Sequence, residues 1–225
     1  MDVGTGVGNF IFLLEPLLKE YDEVIGIDTS VKAIEIAKSY FIDKPKVKFM
    51  VKDAEQTDYH DDYFDIVCLS NSLHHLSEPK NIFKEMERIL KPQGLILIHE
   101  MICEPLSSAQ HSHKLIHHFS AEIDRLLGIF HDDTYTQKEI EEKLKDNSTC
   151  KIEDAWVPIY PEKHIFTSEE IEHIIQSIDQ MLLRVKDTDR IAYFKEKATM
   201  IQSYIKNNGF DLATQYMFVL RKPKK

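Results

Sequence analysis

Gly4-Thr5-Gly6-Val7-Gly8-Asn9 stands almost at the start of the chain, and Glu23-Val24-Ile25-Gly26-Ile27-Asp28 follows it. Only seven glycines occur in 225 residues, and three of them lie within the first eight positions. That clustering demands a local backbone reason, because glycine alone enters left-handed conformations at little steric cost. A glycine-rich turn between a strand and a helix lets the backbone approach a ligand closely. An acid at the end of the next strand can then accept hydrogen bonds from ribose hydroxyls. Gly8 and Asp28 are about twenty residues apart, the interval such a pair requires. The dinucleotide fingerprint G-x-G-x-x-G/A is not matched, since the run reads Gly4-x-Gly6-x-Gly8 with Asn9 in its last place. With no second phosphate-binding glycine cluster, a dinucleotide oxidoreductase is the weaker reading.

Outward from this run, strand and helix signals alternate. Phe10, Leu13, Leu14, Leu17 and Leu18 recur at helical spacing, with Pro16 expected to kink the helix. Thr29 or Ser30 can cap a helix carrying Val31, Ile34 and Ala37. Residues 47 to 51 read as a strand ending near Asp53, and 64 to 70 as one buried on both faces. Pro79 suits a first helical turn, and Ile82, Phe83, Met86, Ile89 and Leu90 form an apolar face. Pro92-Gln93-Gly94 then turns the chain into a strand at 95 to 98. Five strand signals in about a hundred residues predict an α/β, doubly wound, Rossmann-like sheet that is mostly parallel. Later, helices are expected at 109 to 127 and 136 to 145, a strand at 151 to 157, helices at 168 to 185 and 189 to 207, and a last strand at 212 to 220. The first pair reads as an insertion over the strand ends.

Composition bounds the function. The chain is 43% hydrophobic and 29% charged, which suits one globular domain of ordinary size. Twenty-eight basic against 38 acidic residues give a net charge of -10, so no broad positive field is available for a phosphate backbone. Nucleic acid is not expected as a partner. The longest apolar runs are strand-sized and the first residues lack the features of a signal peptide, so no membrane association and a cytoplasmic location are expected. Cys68, Cys103 and Cys150 are odd in number and widely spaced, which predicts reduced, buried or semi-buried thiols. The basic tail from Arg221 to Lys225 is expected to be solvated.

Asp2-Val3-Gly4-Thr5-Gly6-Val7-Gly8 together with Asp28, Asp53-Ala54, the run from Phe64 to Leu76 and Leu90-Lys91-Pro92-Gln93-Gly94 resembles class I S-adenosylmethionine-dependent methyltransferases. The likeness is to the broad group that includes the ubiquinone and menaquinone biosynthesis enzymes, and it covers residues 1 to about 101. It implies that Asp2, Gly4, Thr5, Gly6 and Gly8 surround the methionine part of the cofactor. Asp28 with Thr29 would meet the ribose, Asp53 with Ala54 the adenine, and Asn71 would lie in the loop after the fourth strand. The family topology makes the last strand antiparallel, with helical insertions after the fifth and sixth strands. On this view 1–225 is one methyltransferase domain. Residues 1–103 bind S-adenosylmethionine, 104–148 are a helical insertion covering the acceptor site, and 149–225 complete the sheet. The implied activity is in-line methyl transfer to a small-molecule acceptor, the alternative being a non-catalytic S-adenosylmethionine-binding or interaction protein of the same fold. One departure stands out: family members usually carry several more residues of first strand and a preceding helix, a segment missing before this motif. A weak first strand is therefore expected.

Five of the eleven histidines lie between positions 111 and 131. At 100° per residue Leu115, Ile116, Phe119, Ile123, Leu126 and Leu127 share one face, expected to point at the core. His113, His117, Ser120 and Asp124 form a separate stripe, and His111, His118, Glu122 and Arg125 a third side expected to be solvated. A histidine held by a carboxylate can be a general base, and an i,i+4 histidine pair beside a carboxylate can ligate a metal, with His131-Asp132-Asp133 able to add a ligand if the chain folds back. His74, His113 and His117 are taken as the candidate catalytic bases, and no metal ligand is assigned. The apolar stripe Ile171, Ile174, Ile175, Ile178, Met181 and Leu182 is expected to pack on the core, with a lid or a homodimer surface as its alternative use.

Overall fold

The strand-like runs at 24–28, 47–51, 64–70 and 95–98 all lie in strands of the computed structural model, which describes residues 1–160 and 164–224. The strands are β1 (Asp2–Val3), β2 (Val24–Asp28), β3 (Val47–Val51), β4 (Phe64–Ser70), β5 (Leu90–Met101), β6 (Lys151–Trp156) and β7 (Gln215–Arg221). They form one seven-stranded sheet in the order β3-β2-β1-β4-β5-β7-β6. The pairs β1–β2, β2–β3, β1–β4 and β4–β5 are parallel. β7 runs antiparallel to both β5 and β6. The sheet is thus α/β and mostly parallel, with the expected antiparallel last strand. β1 is two residues long yet lies between β2 and β4, where the strand order reverses. The carboxyl ends of strands at such a switch point leave a crevice for ligands.

The helices are α1 (Asn9–Leu14), α2 (Val31–Tyr40), α3 (Pro79–Ile89), α4 (Ser108–Leu126), α5 (Gln137–Asn147), α6 (Ser168–Leu183) and α7 (Ile191–Asn208). Side chains fix several of their starts. Ser30 caps α2, and reciprocal capping boxes join Ser107 to Gln110, Thr136 to Glu139 and Thr167 to Glu170 at α4, α5 and α6. Each box satisfies backbone donors that a helix leaves unpaired at its first turn.

Four expectations are corrected. The helix after the glycine turn stops at Leu14, and Pro16 sits in a short 3₁₀ turn, Glu15–Leu17. Ile11 rather than Leu13 or Leu17 faces inward, packing with Ile34, Phe41 and Phe49 while Leu17 is 76% exposed. β5 begins at Leu90, so Pro92-Gln93-Gly94 is an irregularity within the strand rather than a turn before it. The register shifts opposite Phe64/Ile66, and Gln93 has φ 66°. Gly94 is required there, since a Cβ would lie 2.8 Å from the Lys91 carbonyl oxygen and 2.9 Å from that of Asp65. The segment 104–148 is divided between two layers. Ile140 and Leu144 of α5 enter the main core with α3 and the sheet, whereas Ile116, Phe119 and Ile123 of α4 join Ile175 and Ile178 of α6 and Phe194, Ala198 and Ile201 of α7. Finally, the basic tail is tethered rather than free. Arg221 pairs with Glu153, and the Lys222 ammonium donates to Asp62, Glu87 and Leu90. Lys225 lies outside the described residues.

The apolar faces otherwise fall where their spacing predicts. Ile82, Phe83, Met86 and Ile89 of α3 are buried in the main core, while Leu127, at the C-terminal end of α4, is 42% exposed. Cys68 and Cys150 are buried and Cys103 is half-buried, all three as free thiols. Among the described residues no helix is long and apolar enough to cross a membrane.

Candidate functional site

At the carboxyl end of β1 the chain turns through Gly4, Gly6 and Gly8, all with positive φ. Gly4 shows why the residue type matters: a Cβ there would stand 2.6 Å from the Ser72 Oγ. Two contacts tie this turn to β2. The Thr5 N–H donates to the Ile27 carbonyl at 2.9 Å, and the Gly6 N–H donates to Asp28 Oδ2 at 2.9 Å. Asp28 Oδ1 accepts from the Ser30 N–H at 2.8 Å. The acid therefore shapes both the glycine turn and the start of α2, and each of its oxygens retains acceptor capacity.

A cleft of about 560 Å³ opens above this turn. Of the residues singled out from sequence, Gly4, Gly6, Asp28, Thr29, Asp53, Ala54 and Asn71 line it. Space beside Gly6 is open, with nothing within 4 Å of where a Cβ would stand. Asp53 Oδ1 accepts from the Glu55 N–H at 2.9 Å, which fixes the carboxylate on its loop. Asn71, at φ 45°, turns its side-chain carbonyl to the Met101 N–H at 3.0 Å, so its acceptor serves the junction of β4 and β5.

Three of the expected contacts are placed beneath the cleft instead. Asp2 is buried and accepts from the Thr5 hydroxyl at 2.7 Å, and burial pushes its carboxyl up to about 7. Thr5 is likewise buried. Gly8 packs below the turn, where a Cβ would come within 2.9 Å of the Phe41 ring. These three residues shape the support of the turn. The cleft also takes in Ser72 and His75, which lie within the motif run 64–76, and Lys52, Glu55 and Glu78, which carry no motif of their own. Only adjacency to Asp53 and to that run could have flagged these last three. A larger hollow of about 930 Å³ lies against Met1, Tyr21, Tyr63 and Asp65, without the glycine turn or the strand-end acids that mark the first.

Beside the cleft, the turn after β4 and the segment after α4 bring histidines together. His74 and Glu100 are both buried, with His74 Nδ1 and Glu100 Oε1 3.0 Å apart, although off the angle of a good hydrogen bond. The other Glu100 oxygen accepts from the Leu73 N–H at 2.9 Å. His74 Nε2 meets His117 Nε2 at 3.2 Å. The chain does fold back after α4: Asp132 N–H donates to the His74 carbonyl at 2.8 Å, and the His131 ring reaches this group. His131 Nδ1 lies 2.6 Å from Asp124 Oδ2, and Arg184 holds the other Asp124 oxygen at 2.5 Å. Burial, reinforced by repulsion from neighbouring imidazoles, pushes His117 down to about 2. Burial also lowers His131, against the opposing pull of Asp124.

His113 does not join them. Its Nδ1 accepts from the Ala213 N–H at 3.0 Å and its ring packs on Phe210. The third side of α4 is not solvated either, for it faces α7 and the returning loop. Glu122 pairs with Lys197 and Arg190, His111 packs on Tyr204, and His118 contacts Thr134. Sequence reasoning did not assign His99, which is buried at the end of β5 between Ser70 Oγ at 3.1 Å and the Tyr160 hydroxyl at 2.7 Å. Burial lowers its pKa to about 4.

Residues 1–98 match a family described as a methyltransferase domain. The uncharacterized methyltransferase YcgJ of Bacillus subtilis (strain 168) is 31% identical over 100 residues, which are 44% of this chain and 38% of that protein. The ubiquinone/menaquinone biosynthesis C-methyltransferase UbiE of Yersinia pestis (strain Pestoides F) is 30% identical over 115 residues, covering 48% of this chain and 46% of its own. The chain thus spans less than half the length of these curated relatives. In three dimensions, Haemonchus contortus phosphoethanolamine N-methyltransferase 2, solved in complex with S-adenosyl-L-methionine, aligns with a TM-score of 0.54 at 18% identity. That alignment covers 99% of this chain and 48% of the other. The chain is similar to class I S-adenosylmethionine-dependent methyltransferases of the ubiquinone/menaquinone group.

Proposed function

We propose that this relative of the class I methyltransferases is itself a methyltransferase that uses S-adenosylmethionine and acts on a small-molecule acceptor. The observation that carries the reading is the single cleft at the switch point, which unites Gly4 and Gly6 with Asp28 and Asp53. The open space beside Gly6 lets a ligand approach the backbone there, and the strand-end acid beneath it retains lone pairs for a diol. Both features suit an adenosine-bearing cofactor. Asp28, with Thr29 beside it, would hold the ribose. Asp53 would accept from the adenine amine through Oδ2, and Gly4 and Gly6 would border the methionine part. Asp2, Thr5 and Gly8 act by supporting the turn.

S-adenosylmethionine supplies a methyl group already activated on a sulfonium. The work left to the chain is to align the acceptor for an in-line displacement and to exclude water. α4, backed by α6 and α7, is the proposed cover of the acceptor side. Its His117 faces His74, and this pair is the candidate for taking a proton from an acceptor that must lose one during attack, His117 being a weak base there because burial holds it at about 2. The anchoring of His113 to Ala213 gives that residue a structural role.

Titration calorimetry with S-adenosylmethionine and S-adenosylhomocysteine, with NAD as control, tests this reading. Binding of both sulfur ligands but not NAD, weakened by Asp28→Ala, is the expected result. Binding of NAD in preference to either would overturn it.

A further inference from the structure

We propose that His74, His75 and His131 form a binding site for a divalent transition-metal ion at the edge of the cofactor cleft. One nitrogen from each of the three side chains falls within a region in which all lie no more than 4.8 Å apart. The rings cluster accordingly: centroids are 4.4 Å apart for His74 and His75, 4.0 Å for His75 and His131, and 5.4 Å for His74 and His131. Two separate segments supply them, the turn after β4 and the loop after α4, and the backbone bond from Asp132 to His74 locks those segments together.

The outer contacts are those a metal centre needs. A metal-bound histidine usually presents its second ring nitrogen to a carboxylate, which fixes ring orientation and tautomer. His131 does so through Nδ1 to Asp124, and His74 has Nδ1 beside Glu100. The opposite nitrogen of His131, Nε2, is buried and has no hydrogen-bond partner, although the side chain is only 5% exposed. A buried polar atom without a partner is costly, and a ligated ion would satisfy it. Three imidazoles and no thiolate suit Zn²⁺ or a neighbouring first-row ion. His75 is exposed and lines the cofactor cleft, which gives the ion a route in.

This inference does not depend on the methyl-transfer reading, and its test needs no methyl donor. The full chain, stripped with a chelator and dialysed, is titrated with Zn²⁺ alone, and bound metal is counted by elemental analysis. One equivalent per chain is expected, retained by His111→Ala and weakened at least ~10-fold by His75→Ala and by His131→Ala. Asp124→Asn, which removes only the outer carboxylate charge, should weaken binding by roughly 10–100-fold. Circular dichroism checks each variant's fold, and His131→Gln replaces His131→Ala if the latter is unfolded. The visible spectrum of the Co²⁺-loaded chain, which reports nitrogen ligation directly, should change in the same variants. Absence of stoichiometric Zn²⁺ binding, or binding that survives loss of both His75 and His131, would overturn the proposal.

Discussion

Asp28 Oδ2 accepts the Gly6 N–H at 2.9 Å, so the acid that closes β2 fixes the shape of the turn that follows β1. The carboxylate thereby has two tasks. It pins the turn at the exit of β1, and it forms one wall of the cleft.

Asp28→Ala should therefore weaken S-adenosylhomocysteine binding and also lower the thermal midpoint. Hydrogen bonds to a charged group are worth about 1.5–3 kcal/mol, and loss of that amount from binding corresponds to a drop of roughly ten-fold or more. Asp28→Asn keeps one acceptor oxygen for Gly6 and should fall between the two. Calorimetry and thermal unfolding on the same samples check it. Unchanged affinity in both variants would remove Asp28 from the site.

Gly4 and Gly6 both have positive φ, but their surroundings differ, so the two alanine variants should fail in different ways. Gly4→Ala places its Cβ 2.6 Å from Ser72 Oγ and 3.1 Å from Ser72 Cβ, adding a clash to the ~1–2 kcal/mol of a left-handed alanine. Gly6→Ala meets no atom within 4 Å and bears only the conformational part. The first variant should lose more stability. The second should lose more ligand affinity than stability, because its methyl enters the space a ligand would use. Denaturant melts paired with calorimetry separate the two effects.

The part of the fold legible in the sequence is the part governed by local periodicity. The parallel strands and the α3 face of Ile82, Phe83, Met86 and Ile89 follow from short-range pattern, whereas the antiparallel sense of β7 was expected only from the family resemblance. The cleft was legible through Gly4, Gly6, Asp28 and Asp53, because glycine turns and strand-end acids mark the carboxyl edge of a sheet. What could not be read depends on contacts distant in the chain. α4 finds α7 some seventy residues later, and Lys222 reaches Asp62. His131 meets His74 only because the chain reverses after α4, which no spacing along a single helix encodes.

Glu85 predicts an acid-limb effect on stability. It is 8% exposed and accepts from Arg88, from the Thr57 N–H and from the Thr57 hydroxyl. Burial alone would raise its pKa, but these bonds outweigh burial and hold it at about 2, below the ordinary 4.5. A depressed carboxylate contributes fully above its unfolded pKa, and that contribution is lost as pH falls from about 4.5 toward 2. At ~1.36 kcal/mol per unit, a drop from 4.5 to about 2 makes the loss roughly 3 kcal/mol. Wild-type stability should thus exceed that of Glu85→Gln by its largest margin near neutrality, and the gap should narrow below pH ~4. Urea melts at stepped pH would show it, and a constant gap from neutral to acid pH would contradict this role for Glu85.

Phe119→Ala asks whether α4, α6 and α7 form their own cooperative unit. Phe119 is fully buried among α4, α6 and α7, with its ring 5.8 Å from that of Phe194, and this cluster shares no buried residue with the core beneath α3 and α5. Deleting a buried phenylalanine side chain typically destabilises by about 3–5 kcal/mol. If the cluster opens as a unit, amide exchange should accelerate throughout α4, α6 and α7, while β2, β4 and α3 keep their protection. The cleft residues Gly6, Asp28 and Asp53 belong to the sheet side, so S-adenosylhomocysteine affinity should change little even as the helices loosen. Exchange that accelerates uniformly across sheet and helices would instead make the molecule one cooperative block, and the α4 cover would then be unable to move independently of the cofactor cleft.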